Sequence, residues 1–575
     1  MSLQFIFGNS GSGKSHYLYQ QIVEESIRHP EKNYLVLVPE QFTMQTQKDL
    51  CMAHPRGGIM NIDVLSFGRL AHRVFEETGK ERQPILDDEG KNLVLRKIAG
   101  NYEDELTVLK GNLKKQGYIS EVKSVISEFT QYGIDFEQLD SFMEGLNPES
   151  YLYYKLKDIR KVYGGFEDYL RDKYITKEEL LDVLSQTVPE AKMLKDSVIA
   201  MDGFTGFTPV QNRLIGELLK VCDKIMLTVE IDRREDPFVY KHPYQLFALS
   251  KQMVTSLTEV AQEVRVEIDE PVWLCKNPSY RFKENPEMAF LEEELFRYSR
   301  RKYSGEKMRS ISLHEVHTPQ EEAQYVAEEI RRLVREEGYR YREIAVIASD
   351  LSTYADALEK ACDRYEIPVF MDHKKSILLN SFVEYLRSLL VMVEQNYTYE
   401  SVFRYLRTSL CGFTRDEVDR LENYCLALDL KGFKKWDQVW VRKTPMTTKE
   451  ELEELNHLRM RFVEKLTPLH TVLKKRKKTV KEITLAVYEY LVQEKIQEQL
   501  AELEQKFQED GELALAKEYA QIYRIVLELF DKFVELLGEE EIPLKEYCEL
   551  LDAGLEEAKV GVIPPSLDQV VIGDM

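Results

Sequence analysis

The sequence predicts an α/β protein with two parallel-sheet cores, each carrying a largely helical inserted subdomain. The first core is indicated by an apolar run at 3–7, a glycine-rich turn, a helical pattern and a second apolar run at 34–38, which together form a β-α-β unit. Apolar runs and amphipathic segments alternate again between 310 and 370, and they indicate the second core. The stretches 80–190 and 380–558 show helical periodicity with few strand signals, so they predict the two inserts.

These patterns set the domain boundaries. A polar, proline-containing stretch, 271–307, is predicted to link the two cores. The other parts are a first core at 1–80 plus 190–270, its helical insert at 81–189, a truncated second core at 308–380 plus 559–575, and a second insert at 381–558. Strands of the second core are expected at 310–316 and 344–349, and a further strand before residue 370. This is the plan of a superfamily-one helicase, whose two cores are RecA-like.

Composition narrows the class of protein. Hydrophobic residues make up 43% and charged residues 31% of the chain, as in soluble globular proteins, and no window is apolar enough to predict a membrane span. The seven cysteines form no C-x-x-C pair, which argues against a zinc or disulfide framework and fits a reducing cytoplasm. A net charge of −22 argues against a protein that coats nucleic acid, although it leaves room for a local nucleic-acid channel.

The run GNSGSGKS fits the phosphate-loop pattern G-x-x-x-x-G-K-[ST] at every fixed position. Glycines allow backbone N–H groups to turn toward phosphate oxygens, the lysine reaches the β- and γ-phosphates, and the final serine hydroxyl binds Mg²⁺. The predicted ATP-binding residues are Gly8, Asn9, Ser10, Gly11, Ser12, Gly13, Lys14 and Ser15. Because the run lies between a predicted strand and a predicted helix, we expect ATP to bind here with Mg²⁺.

A second candidate ligand of Mg²⁺ follows the apolar run VIAM. Asp202 is expected at the C-terminal end of that strand, beside the phosphates, where metal carboxylates lie in this type of sheet. An ordinary buried strand followed by a glycine turn is the alternative interpretation. The next residue is Gly203, and a side chain introduced there is expected to enter an open region beside the γ-phosphate.

Several runs resemble one protein family. GNSGSGKS, LVLVPEQFTMQTQKDL (35–50), IDVLSFGRLAHRVFEETG (62–79), VIAMDGFTGFTPVQ (198–211) and IPPSLDQVVIGDM (563–575) are similar to the AddB members of the bacterial AddAB helicase–nucleases, which belong to the UvrD/RecB-like superfamily. The resemblance runs along the whole chain. It implies an ATP-binding helicase-like fold whose motor has lapsed, in a complex that processes double-strand DNA breaks for recombinational repair.

The resemblance also assigns motif positions. Asp202 and Gln211 occupy places that match the second motif of active motors, whereas Gly203 stands where those motors carry a catalytic glutamate. Ser349 stands where they carry an arginine in the second core. Since an arginine of this kind commonly contributes roughly 10³–10⁵ in rate, the resemblance implies ATP binding without translocation. No residue of this chain is assigned a catalytic role.

Candidate nucleic-acid contacts rest on weaker signals. The resemblance places Phe42, Thr43, Ser66 and Phe67 where related motors contact single-stranded DNA. The alternative is that both phenylalanines belong to the core. The stretch 431–443 interleaves cations with aromatic residues and predicts either a strand-contacting patch or amphipathic packing.

The resemblance further implies partners and missing parts. It implies a heterodimer with an AddA-type helicase–nuclease subunit, contact with single- and double-stranded DNA, and reading of the recombination sequence Chi. The nuclease and its iron–sulfur cluster are expected only in a C-terminal part, so the chain is interpreted as an N-terminal fragment. Three other functions stay open: an active DNA translocase, a small-molecule kinase, and a nucleotide-gated interaction module without a DNA role.

Overall fold

The computed structural model describes residues 1–79, 84–111, 116–171, 173–305, 308–371, 375–444, 447–560 and 568–574. It divides the chain into two units, Met1–Asp87 with Ile98–His314 and Asp88–Lys97 with Glu315–Met575. Each unit contains a parallel sheet and many helices, so the predicted α/β class with two parallel-sheet cores and helical insertions is confirmed.

The elements of the first unit alternate between strands and helices along the chain. Its strands are β1 (Ser2–Gly8), β2 (Tyr34–Leu37), β3 (Ile62–Leu65), β4 (Ile85–Leu86), β5 (Ile175–Thr176), β6 (Val198–Met201), β7 (Lys224–Glu230), β8 (Glu267–Ile268) and β9 (Val272–Trp273). Its helices are α1 (Lys14–Arg28), α2 (Thr43–Ala53), α3 (Phe67–Thr78), α4 (Asp88–Asn101), α5 (Gln116–Tyr132), α6 (Phe136–Glu144), α7 (Tyr151–Leu170), α8 (Leu180–Thr187), α9 (Pro209–Leu219), α10 (Ala248–Glu263) and α11 (Pro286–Glu294).

The large sheet has the strand order β3-β2-β6-β7-β1-β8 among the described residues, and β9 pairs with β1 beyond β8. Every pair is parallel. In this register Gly8 lies opposite Glu230, and Met201 lies opposite both Leu37 and Leu227. The C-terminal ends of β1, β6 and β7 therefore meet at one edge of the sheet.

Apolar side chains cover both faces of this sheet, as a parallel sheet requires. On one face, α3, α8, α9 and α10 contribute buried residues that include Leu70, Val74, Leu184, Leu214, Leu218, Val254 and Leu257. On the other face, α1 and α2 contribute Leu18, Ile22, Val23 and Leu50. The strands read as continuous apolar runs because neither face meets water.

The helical region between β4 and β5 corresponds to the predicted insert at 81–189. The two short strands pair in parallel, Ile85 with Ile175 and Leu86 with Thr176, and they bring the ends of the region together. The first part of α4 belongs to the second unit, where the Arg96 guanidinium forms an ion pair with Glu549 at 2.9 Å. The insert therefore does not fall wholly within the first unit.

The predicted linker at 271–307 is wrong for most of its length. Strand β9 joins the large sheet beside β1, and α11 together with a turn of 3₁₀ helix at Tyr280–Phe282 lies within the first unit. The proline and polar residues indicated a linker because β9 is only two residues long, too short to produce an apolar pattern. This stretch completes the first unit.

The second unit is mainly helical. Its helices are α12 (Pro319–Glu336), α13 (Leu351–Arg364), α14 (Ser381–Glu394), α15 (Tyr399–Leu406), α16 (Arg415–Leu428), α17 (Phe433–Asp437), α18 (Lys449–Leu473), α19 (Val480–Gln493), α20 (Ile496–Glu509), α21 (Leu513–Leu537) and α22 (Leu544–Glu557). Its strands are β10 (Ala345–Ala348), β11 (Val369–Met371), β12 (Lys375–Ser376), β13 (Lys559–Val560) and β14 (Val570–Asp574). Across the described parts of both units, the helices do not include one long and apolar enough to span a bilayer.

The small sheet of the second unit has the order β10-β14-β11, with parallel pairing and with α12 and α13 packed on its buried residues. The expected strands at 344–349 and before 370 are present. The expected strand at 310–316 is absent, because these exposed residues pair with no strand of the described chain. Of the run 563–575, residues 563–567 lie outside the described residues.

The aromatic and basic stretch at 431–443 packs into the second unit. Trp436 is 1% exposed and Trp440 is 6% exposed. The ring of Phe433 stacks on His470 with 3.6 Å between centroids. The amphipathic interpretation is therefore confirmed for the aromatic residues, and only the cations face solvent.

His470 predicts a pH dependence of the second unit. Burial lowers the pKa of His470, as does Lys474, while Asp437 acts in the opposite direction. Because the unfolded chain binds this proton more readily, stability should be lost as pH falls below the ordinary histidine value of about 6.5. We expect His470→Gln to lose less in melting temperature than the wild type between pH 7.5 and pH 5.5. The exposed His457 provides the control variant His457→Gln, and an equal loss in all three proteins would contradict this role for His470.

Candidate functional site

The loop between β1 and α1 has the backbone shape that its glycines predict. Gly11 and Gly13 have φ angles of 70° and 92°, in the left-handed region that favours glycine. Gly13 is the N-cap of α1, and because it carries no side chain it cannot cap the first amides of that helix. The amides at this helix N-terminus are therefore available to an anion.

Lys14 folds back over this loop. Its Nζ donates a hydrogen bond to the backbone oxygen of Asn9 at 3.0 Å. Burial lowers the pKa of Lys14, and the carboxylates of Glu230 and Asp202 act in the opposite direction. A partly desolvated ammonium is stabilised further by a phosphate group beside it.

Asp202 lies at the C-terminal end of β6 and is buried, with 6% of its surface exposed. The Thr228 hydroxyl donates to its Oδ1 at 2.5 Å, and the Tyr19 hydroxyl donates to its Oδ2 at 2.8 Å. Burial and the Asp202 carboxylate both raise the pKa of Tyr19, so its phenol keeps the proton that it donates. Two side chains therefore hold the carboxylate in one orientation and leave lone pairs for a further partner.

Three polar atoms beside the loop lack hydrogen-bond partners in the part of the chain that the structure describes. They are Asn9 Oδ1, Ser12 Oγ and Ser279 Oγ. Buried polar atoms are normally satisfied, so these atoms suit a ligand or water in the loop. The other end of the Asn9 side chain donates from Nδ2 to Glu292 at 3.1 Å.

A cavity of about 720 Å³ opens over the loop. Its lining includes residues 10–16 and brings Lys14, Ser15 and Asp202 together, as the sequence predicted. It also contains Tyr19, Thr228, Glu230 and Arg281, which sequence reasoning missed. A donor-rich loop, a lysine and a buried carboxylate together can hold a polyphosphate with a divalent cation.

Arg281 comes from the stretch that was interpreted as a linker. Its backbone N–H donates to the oxygen of Gly11 at 3.0 Å. A β-carbon on Gly11 would lie 2.7 Å from the β-carbon of Arg281, so Gly11 allows this close approach. An arginine in a polar, turn-rich run was the available signal, but its position beside the loop depends on tertiary contacts.

Gly203 corrects one expectation. Its φ is 77°, and a β-carbon there would lie 3.6 Å from Pro39 and 3.7 Å from the ring of Phe42. A side chain at this position would strain the backbone and begin against Phe42, and would not extend into open space.

The candidate nucleic-acid residues differ in exposure. Phe42 is 47% exposed, but Phe67 is 7% exposed and packs against Phe204 and Phe207. A base could not stack on Phe67 without displacing these rings, so the core alternative holds for Phe67. Thr43 and Ser66 are also buried: the Thr43 hydroxyl donates to the oxygen of Glu40, and Ser66 caps α3.

Two motif positions have local structural roles or locations. The Gln211 side chain accepts a hydrogen bond from the backbone of Thr208 at 2.9 Å and completes a capping box at the start of α9. Ser349 directly follows β10 in the second unit, at the end of the expected strand.

Two family descriptions match the chain. The family described as "ADDB, N-terminal" matches residues 5–292. The chain belongs to the AddB family. The "UvrD-like helicase C-terminal domain" family matches residues 282–559.

Curated relatives of this AddB chain are named as the B-type component of an ATP-dependent helicase/deoxyribonuclease. The relative from Lachnoclostridium phytofermentans is 42% identical over 581 residues, and the relative from Clostridium novyi is 33% identical over 575 residues. Each alignment covers 100% of this chain and 50% of the relative, so the chain spans about half the length of these proteins.

The left-handed backbone at Gly203 predicts a stability cost for any side chain. Gly203→Ala should lower the free energy of unfolding by about 1 kcal/mol, and Gly203→Glu by at least as much. Gly206→Ala is the matched control in the same turn, because a β-carbon there meets no atom of the described chain within 4 Å. Urea titrations measure all three variants. If Gly203→Ala unfolds at the same denaturant concentration as Gly206→Ala, the strain at Gly203 is refuted.

Proposed function

We propose that this AddB chain binds ATP with Mg²⁺ without driving translocation, as a DNA-handling component of a helicase–nuclease that processes double-strand breaks for repair. The observation that carries the proposal is the cavity in which Lys14, Ser15 and Asp202 lie over a glycine-rich loop. The unsatisfied atoms of Asn9 and Ser12 in the same loop support a bound ligand.

The residues of the loop divide the task of holding ATP. Backbone amides at the start of α1 and the Lys14 ammonium would bind the phosphates, and Ser15 with Asp202 would hold Mg²⁺. The metal supplies charge neutralisation between phosphate oxygens. Arg281 provides a second cation in the cavity lining.

Weak hydrolysis is proposed because the position after Asp202 cannot readily carry a base. Gly203 stands where active relatives have a glutamate, and its φ of 77° disfavours a side chain. A functional group at that position would therefore need a different backbone. The chain would bind ATP as a structural or regulatory ligand.

An ATP-driven translocase is the second candidate. The cavity lining contains both Glu230 and Arg281, a carboxylate and a cation that could assist phosphoryl transfer. DNA-stimulated ATP turnover that is lost in Glu230→Gln would favour this function over the first proposal.

The DNA role is proposed from family membership together with the exposed ring of Phe42. The names of the relatives describe a component of a helicase/deoxyribonuclease, and on that basis we propose an AddA-type partner, single- and double-stranded DNA as ligands, and reading of Chi. Because the relatives are about twice as long, we propose that the nuclease and an iron–sulfur cluster belong to sequence beyond this half.

Lys14 provides the direct test of nucleotide binding. Lys14→Ala removes the ammonium that the loop holds in the cavity, so we expect the Kd for a non-hydrolysable ATP analogue to rise at least about thirtyfold. Isothermal titration calorimetry measures the change, with Lys48→Ala on the exposed surface of α2 as control. Equal affinities of the wild type and Lys14→Ala would refute the nucleotide site.

Tyr19 provides a test of Asp202 as a metal carboxylate. Tyr19→Phe removes one hydrogen bond that orients Asp202, so the gain in affinity that Mg²⁺ gives to ATP-analogue binding should fall about tenfold. Affinity in EDTA should not change. Tyr17→Phe is the matched control, since both tyrosines pack against the same apolar cluster from α1. The same gain from Mg²⁺ in Tyr19→Phe as in the wild type would show that Tyr19 does not act through the metal.

A further inference from the structure

The segment that follows α11, residues 295–303, combines exposed aromatic rings with cations. It reads LFRYSRRKY and contains Arg297, Arg300, Arg301 and Lys302 with no acidic residue. In a chain with a net charge of −22 this is a local concentration of positive charge. Positive charge next to aromatic rings is complementary to a polyanion that also carries flat bases.

The segment is fixed to the first unit by one buried side chain. Arg297 is 14% exposed, and its guanidinium donates to Asp232 at 2.6 Å and to Glu235 at 3.2 Å. Glu235 also binds the buried ammonium of Lys251 at 2.6 Å. This network fixes the backbone at Arg297, so the residues on both sides of it have defined positions.

The residues before and after Arg297 point into solvent. Phe296 is 72% exposed and Tyr298 is 99% exposed. Their φ angles are 59° and 54°, in the left-handed region that bulky residues rarely adopt. Two large rings are thus displayed from a strained backbone, which is unfavourable unless a ligand covers them.

The charges of the segment are only partly neutralised. Arg301 pairs with Glu293 and Glu294, as Arg297 pairs with its own carboxylates. Arg300 and Lys302 are exposed, and neither forms an ion pair with a described residue. Two cations beside two rings therefore remain for a ligand.

We propose that the 295–303 segment is a contact site for single-stranded nucleic acid, a proposal that rests on the proposed DNA role. Phe296 and Tyr298 stack on unpaired bases, and Arg300 and Lys302 bind the neighbouring phosphates. A duplex does not fit this chemistry, because its bases are already stacked on one another. A protein partner is disfavoured by the two cations that have no carboxylate beside them.

The test is fluorescence anisotropy of a labelled oligo-deoxythymidine with the 575-residue chain and its variants. The double variant Phe296→Ala/Tyr298→Ala should bind at least about tenfold more weakly, because base stacking on a ring contributes strongly to binding. Tyr298→Phe keeps the ring and should bind as the wild type does. Tyr244→Ala is the control, since it removes another exposed tyrosine, 81% exposed.

The cations have a separate readout. Arg300→Gln/Lys302→Gln should reduce the slope of log Kd against log salt concentration by about 1.4, or about 0.7 for each phosphate contact with a single strand. Arg297 is left unchanged in all variants so that the segment stays attached. Melting temperatures within a degree or two of the wild type verify that the variants fold.

Other outcomes would overturn the proposal. Unchanged oligonucleotide affinity in the double alanine variant would do so, whether or not Phe42→Ala weakens binding. Loss of association with a helicase partner, with DNA affinity retained, would reassign the segment to a protein interface. A wild-type chain that binds no oligonucleotide would overturn the DNA role itself, while leaving the ATP site untouched.

Discussion

Parallel pairing of β1, β6 and β7 is the constraint on which the candidate site depends. This register places Gly8 opposite Glu230 and ends β6 at Met201, so the loop, Asp202 and Glu230 emerge from the same edge of the sheet. Both faces of the sheet are covered by helices, and the strands cannot shift by one residue without moving buried side chains to the opposite face. The relative positions of Lys14 and Asp202, nearly 190 residues apart in sequence, follow from this pairing.

The stretch at 279–297 adds a second layer of control over the loop. Its Arg281 N–H binds Gly11, and its Glu292 carboxylate accepts from Asn9. Burial raises the pKa of Glu292, and the Asn9 hydrogen bond acts in the opposite direction. The shape of the loop therefore depends on residues that come after the whole large sheet in sequence. The same stretch ends in Arg297, which fixes the 295–303 segment, so the nucleotide site and the proposed nucleic-acid contact belong to one continuous part of the first unit.

Local order within the site contrasts with the negative charge of the chain. Asp202 is buried, yet Thr228 and Tyr19 supply hydrogen bonds to both its oxygens, and such bonds offset the cost of burying a carboxylate. Lys14 is partly desolvated and is balanced by Glu230 and Asp202. Positive charge is placed where a phosphate would bind, so a net charge of −22 does not prevent binding of an anion.

The sequence by itself determined the features that depend on neighbouring residues. Strand β1, the glycine-rich loop and α1 follow from an apolar run, glycines with positive φ and a helical pattern, and Asp202 at the end of β6 follows from the run before it. Only the tertiary structure decided the rest, because burial and proximity depend on packing between distant segments. It brought Arg281 and Tyr19 to the cavity, buried Phe67 while leaving Phe42 half-exposed, and gave Gly203 its left-handed backbone against Phe42. It also placed the two-residue strand β9 in the sheet and left 310–316 unpaired, since a strand forms only where another strand satisfies its backbone.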